Sequence, residues 1–74
     1  MTKTYVTFGQ GHTHHVNGKT LDKDTVAVLS AQNSNQGREK AFELFGAEFC
    51  FEYFDSEWKE ENLKYFPKGY VYID

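Results

Sequence analysis

The dipeptide Asn17-Gly18 is the strongest local constraint in this 74-residue sequence, because Asn-Gly favours the two-residue type I′ turn of a β-hairpin. Apolar and polar residues alternate before it at positions 5–8 and after it at positions 25–29. Both stretches are rich in β-branched or aromatic residues, as half-buried strands are. The sequence therefore predicts an antiparallel hairpin in its first half.

The position of the turn also predicts which residues pair. A hairpin that closes without a bulge places Val6 opposite Leu29 and Phe8 opposite Ala27. These pairs make one face of the ribbon apolar, and this agreement between turn position and apolar pairing supports the register.

A helix is predicted over residues 36–45. Asn33 or Ser34 supplies its N-cap, and Gly46 is a natural residue to follow its last turn. Its expected apolar stripe consists of Ala41, Phe42 and Phe45.

A third strand is predicted over residues 48–54. Alternation places Phe49, Phe51 and Tyr53 on one face, where core packing is the favoured interpretation. Cys50 lies on the other face and is interpreted as a half-buried small hydrophobic residue rather than a nucleophile.

The last quarter of the chain predicts a short helix and a final strand. Asp55 or Ser56 is expected to cap a helix over residues 57–65, Pro67 to stop it, and residues 70–73 to form the strand. The resulting order ββαβ(α)β predicts one α+β domain over residues 1–74, in which a main helix packs on a small antiparallel sheet.

Composition narrows the classes of function. The net charge of −3 disfavours direct nucleic-acid binding, which needs a basic face. No apolar run is long enough to span a membrane, so a membrane role is not expected. A single cysteine suits a reducing compartment, and we expect the protein in the cytosol.

All three histidines lie together, as His12, His14 and His15. On a strand His12 and His14 would share a face, a spacing that chelates metals in some enzymes. Unless Gly9 or Gly11 introduces a bulge, the predicted register places Lys23 opposite His12 and directs Asp22 and Asp24 to the other face. Partly exposed structural histidines are therefore the favoured interpretation, with a His12/His14 metal site and a contact with a partner as alternatives.

No motif indicates an enzyme. The sequence has no glycine-rich phosphate loop and no assembled acid–base pair, so neither catalytic residues nor a cofactor are predicted. Tyrosine and tryptophan are enriched among interface hot spots, so we expect a protein-binding patch on the exposed rings, flanked by acidic residues. The predicted patch comprises Tyr5, Tyr53, Trp58, Tyr70, Tyr72, Glu57, Glu60 and Glu61.

Several stretches resemble a family of small uncharacterised proteins encoded by tailed bacteriophages and prophages. They are Tyr5-Val6-Thr7-Phe8-Gly9, His12-Thr13-His14, Val16-Asn17-Gly18, Asp22-Lys23-Asp24, Val26-Ala27-Val28, Ala41-Phe42-Glu43-Leu44-Phe45-Gly46, Phe49-Cys50 and Tyr65-Phe66-Pro67-Lys68-Gly69. The likeness runs from about residue 4 to residue 73.

The resemblance implies no catalytic residues. It implies a phage protein that binds a host protein or protein complex in the host cytosol and blocks or redirects it, as anti-defence proteins such as anti-CRISPR proteins do. The alternatives are the His12/His14 metal or small-ligand site and an assembly role through self-association, for example as a homodimer.

Overall fold

The computed structural model describes residues 2–73. The elements in chain order are strands β1 (Thr2–Thr7), β2 (His14–Val16), β3 (Lys19–Leu21) and β4 (Thr25–Ala31), helix α1 (Ser34–Phe45), strand β5 (Phe51–Phe54), a 3₁₀ helix (Glu60–Tyr65) and strand β6 (Gly69–Tyr72). Four strands form the main sheet in the order β5-β1-β4-β6, and β2 and β3 form a separate ribbon. The predicted α+β class is confirmed.

The main sheet is mixed rather than wholly antiparallel. Strand β1 is antiparallel to both β4 and β5, whereas β6 runs parallel to β4. Because β5 occupies the free edge of β1, the segment after β5 crosses the sheet to reach the open edge of β4. The backbone N–H of Lys68 donates to the carbonyl of Asp24 at 2.9 Å, which fixes where β6 begins.

The predicted turn is confirmed at the tip of the ribbon. Asn17 and Gly18 both have positive φ, 52° and 75°, as a type I′ turn requires. His14 pairs with Leu21, which is the predicted register.

The register of the long strands differs from the prediction. Val6 pairs with Ala27 rather than with Leu29. The ladder is interrupted where the chain turns at residues 9–12, with the N–H of His12 bonded to the carbonyl of Gly9 at 3.0 Å. One ladder joins β1 to β4 and the other joins β2 to β3. Between these two ladders, the first arm of the hairpin contains two more residues than the second arm. Since the shift is even, Val6, Ala27 and Leu29 still share one face.

Helix α1 covers that face of the sheet. The Asn33 side chain accepts a hydrogen bond from the N–H of Gln36, and Gly46 follows the helix with φ 62°, so both predicted caps are confirmed. The helix begins at Ser34, two residues before the predicted start. Its buried residues are Gly37, Ala41 and Phe45. Phe42 was expected in the buried stripe but is 47% exposed. The buried residues follow one another at intervals of four along the helix, and Phe42 lies beside that row.

The closest approach between helix and sheet is at Gly37. A Cβ atom built there would lie 1.9 Å from Oγ1 and 2.9 Å from Cβ of Thr4. Thr4 is 1% exposed, and its hydroxyl has no hydrogen-bond partner within residues 2–73. The absence of a side chain at Gly37 is therefore what lets α1 sit this close.

The predicted aromatic face of the third strand is split. The chain bends at Cys50, so β5 begins only at Phe51. Phe49 packs partly buried against the helix side and contacts Phe42 at 5.3 Å, whereas Phe51 is 59% exposed on the other side. The core assignment of Phe51 is wrong, and Cys50 is exposed rather than half-buried.

The second helix is shorter than predicted. It is a 3₁₀ helix that begins at Glu60, and neither Asp55 nor Ser56 caps it, because residues 54–58 form a turn first. It ends at Tyr65 before Pro67, and β6 follows as predicted. No helix formed by residues 2–73 is long and apolar enough to cross a membrane.

Candidate protein-binding surface

The sheet face opposite α1 carries most of the predicted binding residues. Tyr5 in β1 pairs with Tyr53 in β5. On the other side of β1, Tyr5 pairs with Val28 in β4, which in turn pairs with Tyr72 in β6. Alternation therefore brings tyrosines from β1, β5 and β6 onto one face. We call this the aromatic face; its members are Tyr5, Tyr53, Trp58, Phe66, Tyr70 and Tyr72.

Trp58 is the centre of the aromatic face. Its ring stacks on Tyr5 with 5.1 Å between centroids and 14° between planes, and it contacts Tyr53 edge to face at 5.4 Å. Its Nε1–H donates to the Tyr70 hydroxyl at 2.9 Å. Burying the indole N–H with a partner removes the cost of desolvating it, so Trp58 is held as a fixed wall.

A tight turn delivers Trp58 to this position. The Phe54 carbonyl accepts from the N–H groups of Glu57 and Trp58 at 2.9 and 3.2 Å. The Phe54 N–H in turn donates to Oε1 of Glu57 at 2.9 Å. Glu57, predicted as a binding residue, therefore also closes the end of β5.

Burial raises the pKa of the Tyr5 hydroxyl above its usual value, and the negative charge of Asp55 raises it further. The nearby hydroxyls of Tyr70 and Tyr72 and the carboxylate of Glu60 act in the same direction.

A cleft of about 390 Å³ opens between β5 and the 3₁₀ helix. We call it the aromatic cleft; it is lined by Thr7, Phe8, Cys50, Phe51, Tyr53, Trp58, Asn62, Tyr65 and Phe66. Apolar surface exceeds polar surface in this lining. A site of this kind binds apolar groups and orients them with few hydrogen bonds.

Two walls of the cleft were missed by the sequence interpretation. Phe51 is 59% exposed and Tyr65 is 66% exposed, and the ammonium of Lys64 lies 5.2 Å from the Tyr65 ring centroid. The one available signal was that Phe51 alternates with Tyr53. Nothing local in the sequence says which ring of a strand face remains uncovered.

Negative charge is concentrated around this cleft. Residues 48–65 contain six carboxylates and two ammonium groups, a net charge of −4, while the rest of the chain carries +1. Glu60 and Glu61 occupy the first turn of the 3₁₀ helix and are exposed. The negative charge is thus concentrated in the segment that contains β5 and the 3₁₀ helix, the two elements between which the cleft opens.

His14 packs at the edge of the hydrophobic core. Its ring lies 5.5 Å from that of Phe8 and 5.0 Å from that of Phe45. Nε2 lies 2.7 Å from the carbonyl oxygen of Glu48, and since a carbonyl only accepts, Nε2 donates. This bond ties the ribbon to the segment that leads into β5.

The other two histidines are engaged separately. Nδ1 of His12 accepts from the N–H of Gly9 at 3.0 Å, because residues 9–12 form a turn rather than continuing the hairpin ladder. Nδ1 of His15 lies 3.2 Å from the hydroxyl of Thr20.

The histidines and aspartates do not come together as a metal site. Within residues 2–73 no three His, Cys, Asp or Glu side chains are arranged to hold an ion. Asp22 instead receives hydrogen bonds from the Lys68 ammonium and the Asp24 N–H, both at 2.9 Å, and these lower its pKa. The expected opposition of Lys23 and His12 is absent, because both residues lie outside the strands.

The lining of the cleft is rich in aromatic rings. Its lining supplies six aromatic rings, the Asn62 amide, the Thr7 hydroxyl and the exposed thiol of Cys50. None of the described lining residues carries a carboxylate or an imidazole. Ring faces and one amide can recognise a side chain.

Comparison with known proteins adds no family: no protein-family model, no curated protein and no solved structure matches this chain.

Proposed function

We propose that the protein is a small non-enzymatic binding protein that acts by occupying the surface of a host protein complex. The single observation that carries this proposal is the aromatic cleft, with its exposed Phe51 and Tyr65 beside a strongly acidic segment. Exposed aromatic rings next to charged groups are the composition of interface hot spots.

The resemblance to phage-encoded proteins supplies the biological setting of the proposal. In that setting the partner is a host protein or complex in the host cytosol, and inhibition follows from steric occlusion alone. An anti-defence role, as played by anti-CRISPR proteins, is one form of this function. It requires neither a cofactor nor a reaction.

The test is affinity capture from a lysate of the bacterium that carries the gene or its phage. We expect wild-type protein to retain one partner in stoichiometric amount, and the double variant Glu60→Lys/Glu61→Lys to lose it. The matched control is Glu39→Lys/Glu43→Lys, which places the same charge change on the exposed side of α1 and should retain the partner.

Two results would contradict the proposal. One is the absence of any stoichiometric partner for the wild-type protein. The other is equal loss of the partner with both double variants, because that would make net charge, rather than this surface, the determinant of binding.

A further inference from the structure

We infer that the aromatic cleft is the anchor site of the binding surface, and that it accepts one large apolar side chain from a Lys- or Arg-rich segment of the partner. This inference rests on the proposed function and names the chemistry of the partner. Three features support it: the size of the cleft, the negative charge beside it, and the hydrogen bonds that occupy the adjacent sheet edge.

The size of the cleft suits a side chain. At about 390 Å³ it lies at the low end of the range of about 300–1,000 Å³ found for ligand pockets. Its walls are mostly aromatic, so an inserted phenyl or aliphatic group would be surrounded by ring faces and edges. Trp58 is fixed by its hydrogen bond to Tyr70, so little ordering is needed when the group enters.

The negative charge beside the cleft favours a partner in which the inserted apolar side chain has cationic residues next to it. The carboxylates of Asp55, Glu60 and Glu61 stand on the exposed segment that forms one border of the cleft, within residues 48–65 of net charge −4. A segment with Lys or Arg beside its apolar anchor would meet opposite charge along this border. Such complementarity raises association rates and suppresses wrong partners.

The same charge disfavours two other occupants. A second copy of the chain would bring another net −4 segment against the first, and a nucleic acid would bring phosphates. Like charges in contact oppose association, so the cleft fits a basic protein segment better than it fits itself.

The edge of the sheet beside the cleft is closed at one end to strand addition. Both backbone polar groups of Phe54 are occupied within the chain, its N–H by the Glu57 carboxylate and its carbonyl by the N–H groups of Glu57 and Trp58. A partner is therefore expected to be recognised through side chains in the cleft rather than by extending the sheet along β5.

The inference is tested with synthetic peptides. The probe is a blocked pentapeptide Lys-Arg-Phe-Arg-Lys, followed by amide NMR shifts and by the emission of Trp58, the only tryptophan. We expect saturable shifts at Phe51, Asn62 and Phe66. Replacing the central Phe by Ala should weaken binding about tenfold, and replacing the four cations by Glu should abolish it.

Matched variants locate the site. Phe51→Ala/Tyr65→Ala should weaken peptide binding about tenfold, whereas Phe42→Ala, which removes a ring 47% exposed on α1, should leave it unchanged. All three rings are exposed, so the fold should survive, which circular dichroism verifies.

Several outcomes would overturn the inference: no saturable binding of the cationic Phe peptide, equal binding of the Ala peptide, shifts confined to other surfaces, or a dimer in sedimentation that Phe51→Ala/Tyr65→Ala dissolves. Capture of a cellular partner together with failure of the peptides would refute this inference alone. Peptide binding without any cellular partner would refute the proposed function alone.

Discussion

Replacing Gly37 by Ala is expected to destabilise the domain by about 2 kcal/mol, although Ala is the better helix former. In an open helix interior this change gains about 1 kcal/mol. Here the new methyl would lie 1.9 Å from Oγ1 and 2.9 Å from Cβ of Thr4. Rotating the Thr4 side chain moves Oγ1 but not Cβ, so α1 must shift away from the sheet. Overpacking of this kind costs about 3 kcal/mol at the upper end of its usual range.

The assay is urea denaturation followed by Trp58 emission, with thermal melting as a second readout. A loss of about 2 kcal/mol corresponds to a fall in Tm of about 8–16 °C for a domain of this size. Gly11→Ala is the matched control, because a Cβ there would meet nothing within 4 Å and the φ of Gly11 is not positive. That variant should stay within about 0.5 kcal/mol of wild type.

A double-mutant cycle isolates the cause. Thr4→Ala removes Oγ1 and the methyl group that face Gly37, so Gly37→Ala should cost at least about 1 kcal/mol less in that background. The reasoning is refuted if Gly37→Ala is as stable as wild type, or if its cost is the same with Thr4→Ala present. The first result would mean that the helix does not approach the sheet this closely, and the second that the cost does not come from Oγ1 and the methyl group of Thr4.

Three further changes have defined outcomes. Thr4→Val should stabilise the domain by about 1 kcal/mol in urea denaturation, because it replaces a buried hydroxyl that lacks a hydrogen bond with a methyl of similar shape; unchanged or lower stability would contradict this. Trp58→Phe should cost about 2 kcal/mol, followed by circular dichroism, because the bond to the Tyr70 hydroxyl and part of the stacked ring are lost; a neutral effect would show that Trp58 does not support the aromatic face. Lys68→Ala should raise the pKa of Asp22 toward its ordinary 3.8, as an NMR titration of the carboxyl carbon would show. Since the folded-state pKa of Asp22 is the lower one, its stabilising effect is present above pH 3.8 and disappears as the pH falls through the folded value, so the variant and wild type should converge in stability in acid.

Local features were predictable because a few adjacent residues encode them. The turn at Asn17-Gly18 needs only two residues that tolerate positive φ, and the ends of α1 need only Asn33 and Gly46. These signals act within one turn of chain, and the structure confirms each of them.

The register of the long strands could not be predicted in the same way. It depends on a turn at residues 9–12 that the His12 side chain closes, and on a second turn in which the hydroxyl of Thr25 bonds to the backbone of Asp22. Each turn depends on a hydrogen bond made by a side chain. The alternation of apolar and polar residues does not predict the geometry of such a bond. The long strands therefore keep the predicted faces but pair two residues away from the predicted register, whereas β2 and β3 pair as predicted.

The candidate site was only half predictable. The tyrosines of the aromatic face follow from alternation, and Trp58 was singled out by residue type alone. The exposure of Phe51 and Tyr65 depends on how far the 3₁₀ helix extends over the sheet, which is a long-range property. Sequence patterns indicate which residues are able to face each other, but not which rings a crossing segment leaves uncovered.

The order of strands in the main sheet has a consequence for how the chain acquires its structure. Thr4 must meet Phe54, and Val26 must meet Tyr70, before both central strands have two neighbours each. Contacts between positions so far apart slow the search for the native state, so folding in about milliseconds to seconds is expected rather than the microseconds of helical bundles. Until that search ends, Val26 and Val28 have no cover on the side opposite α1. The chain is then most exposed to aggregation, and a bound partner cannot protect it because the cleft has not yet been assembled.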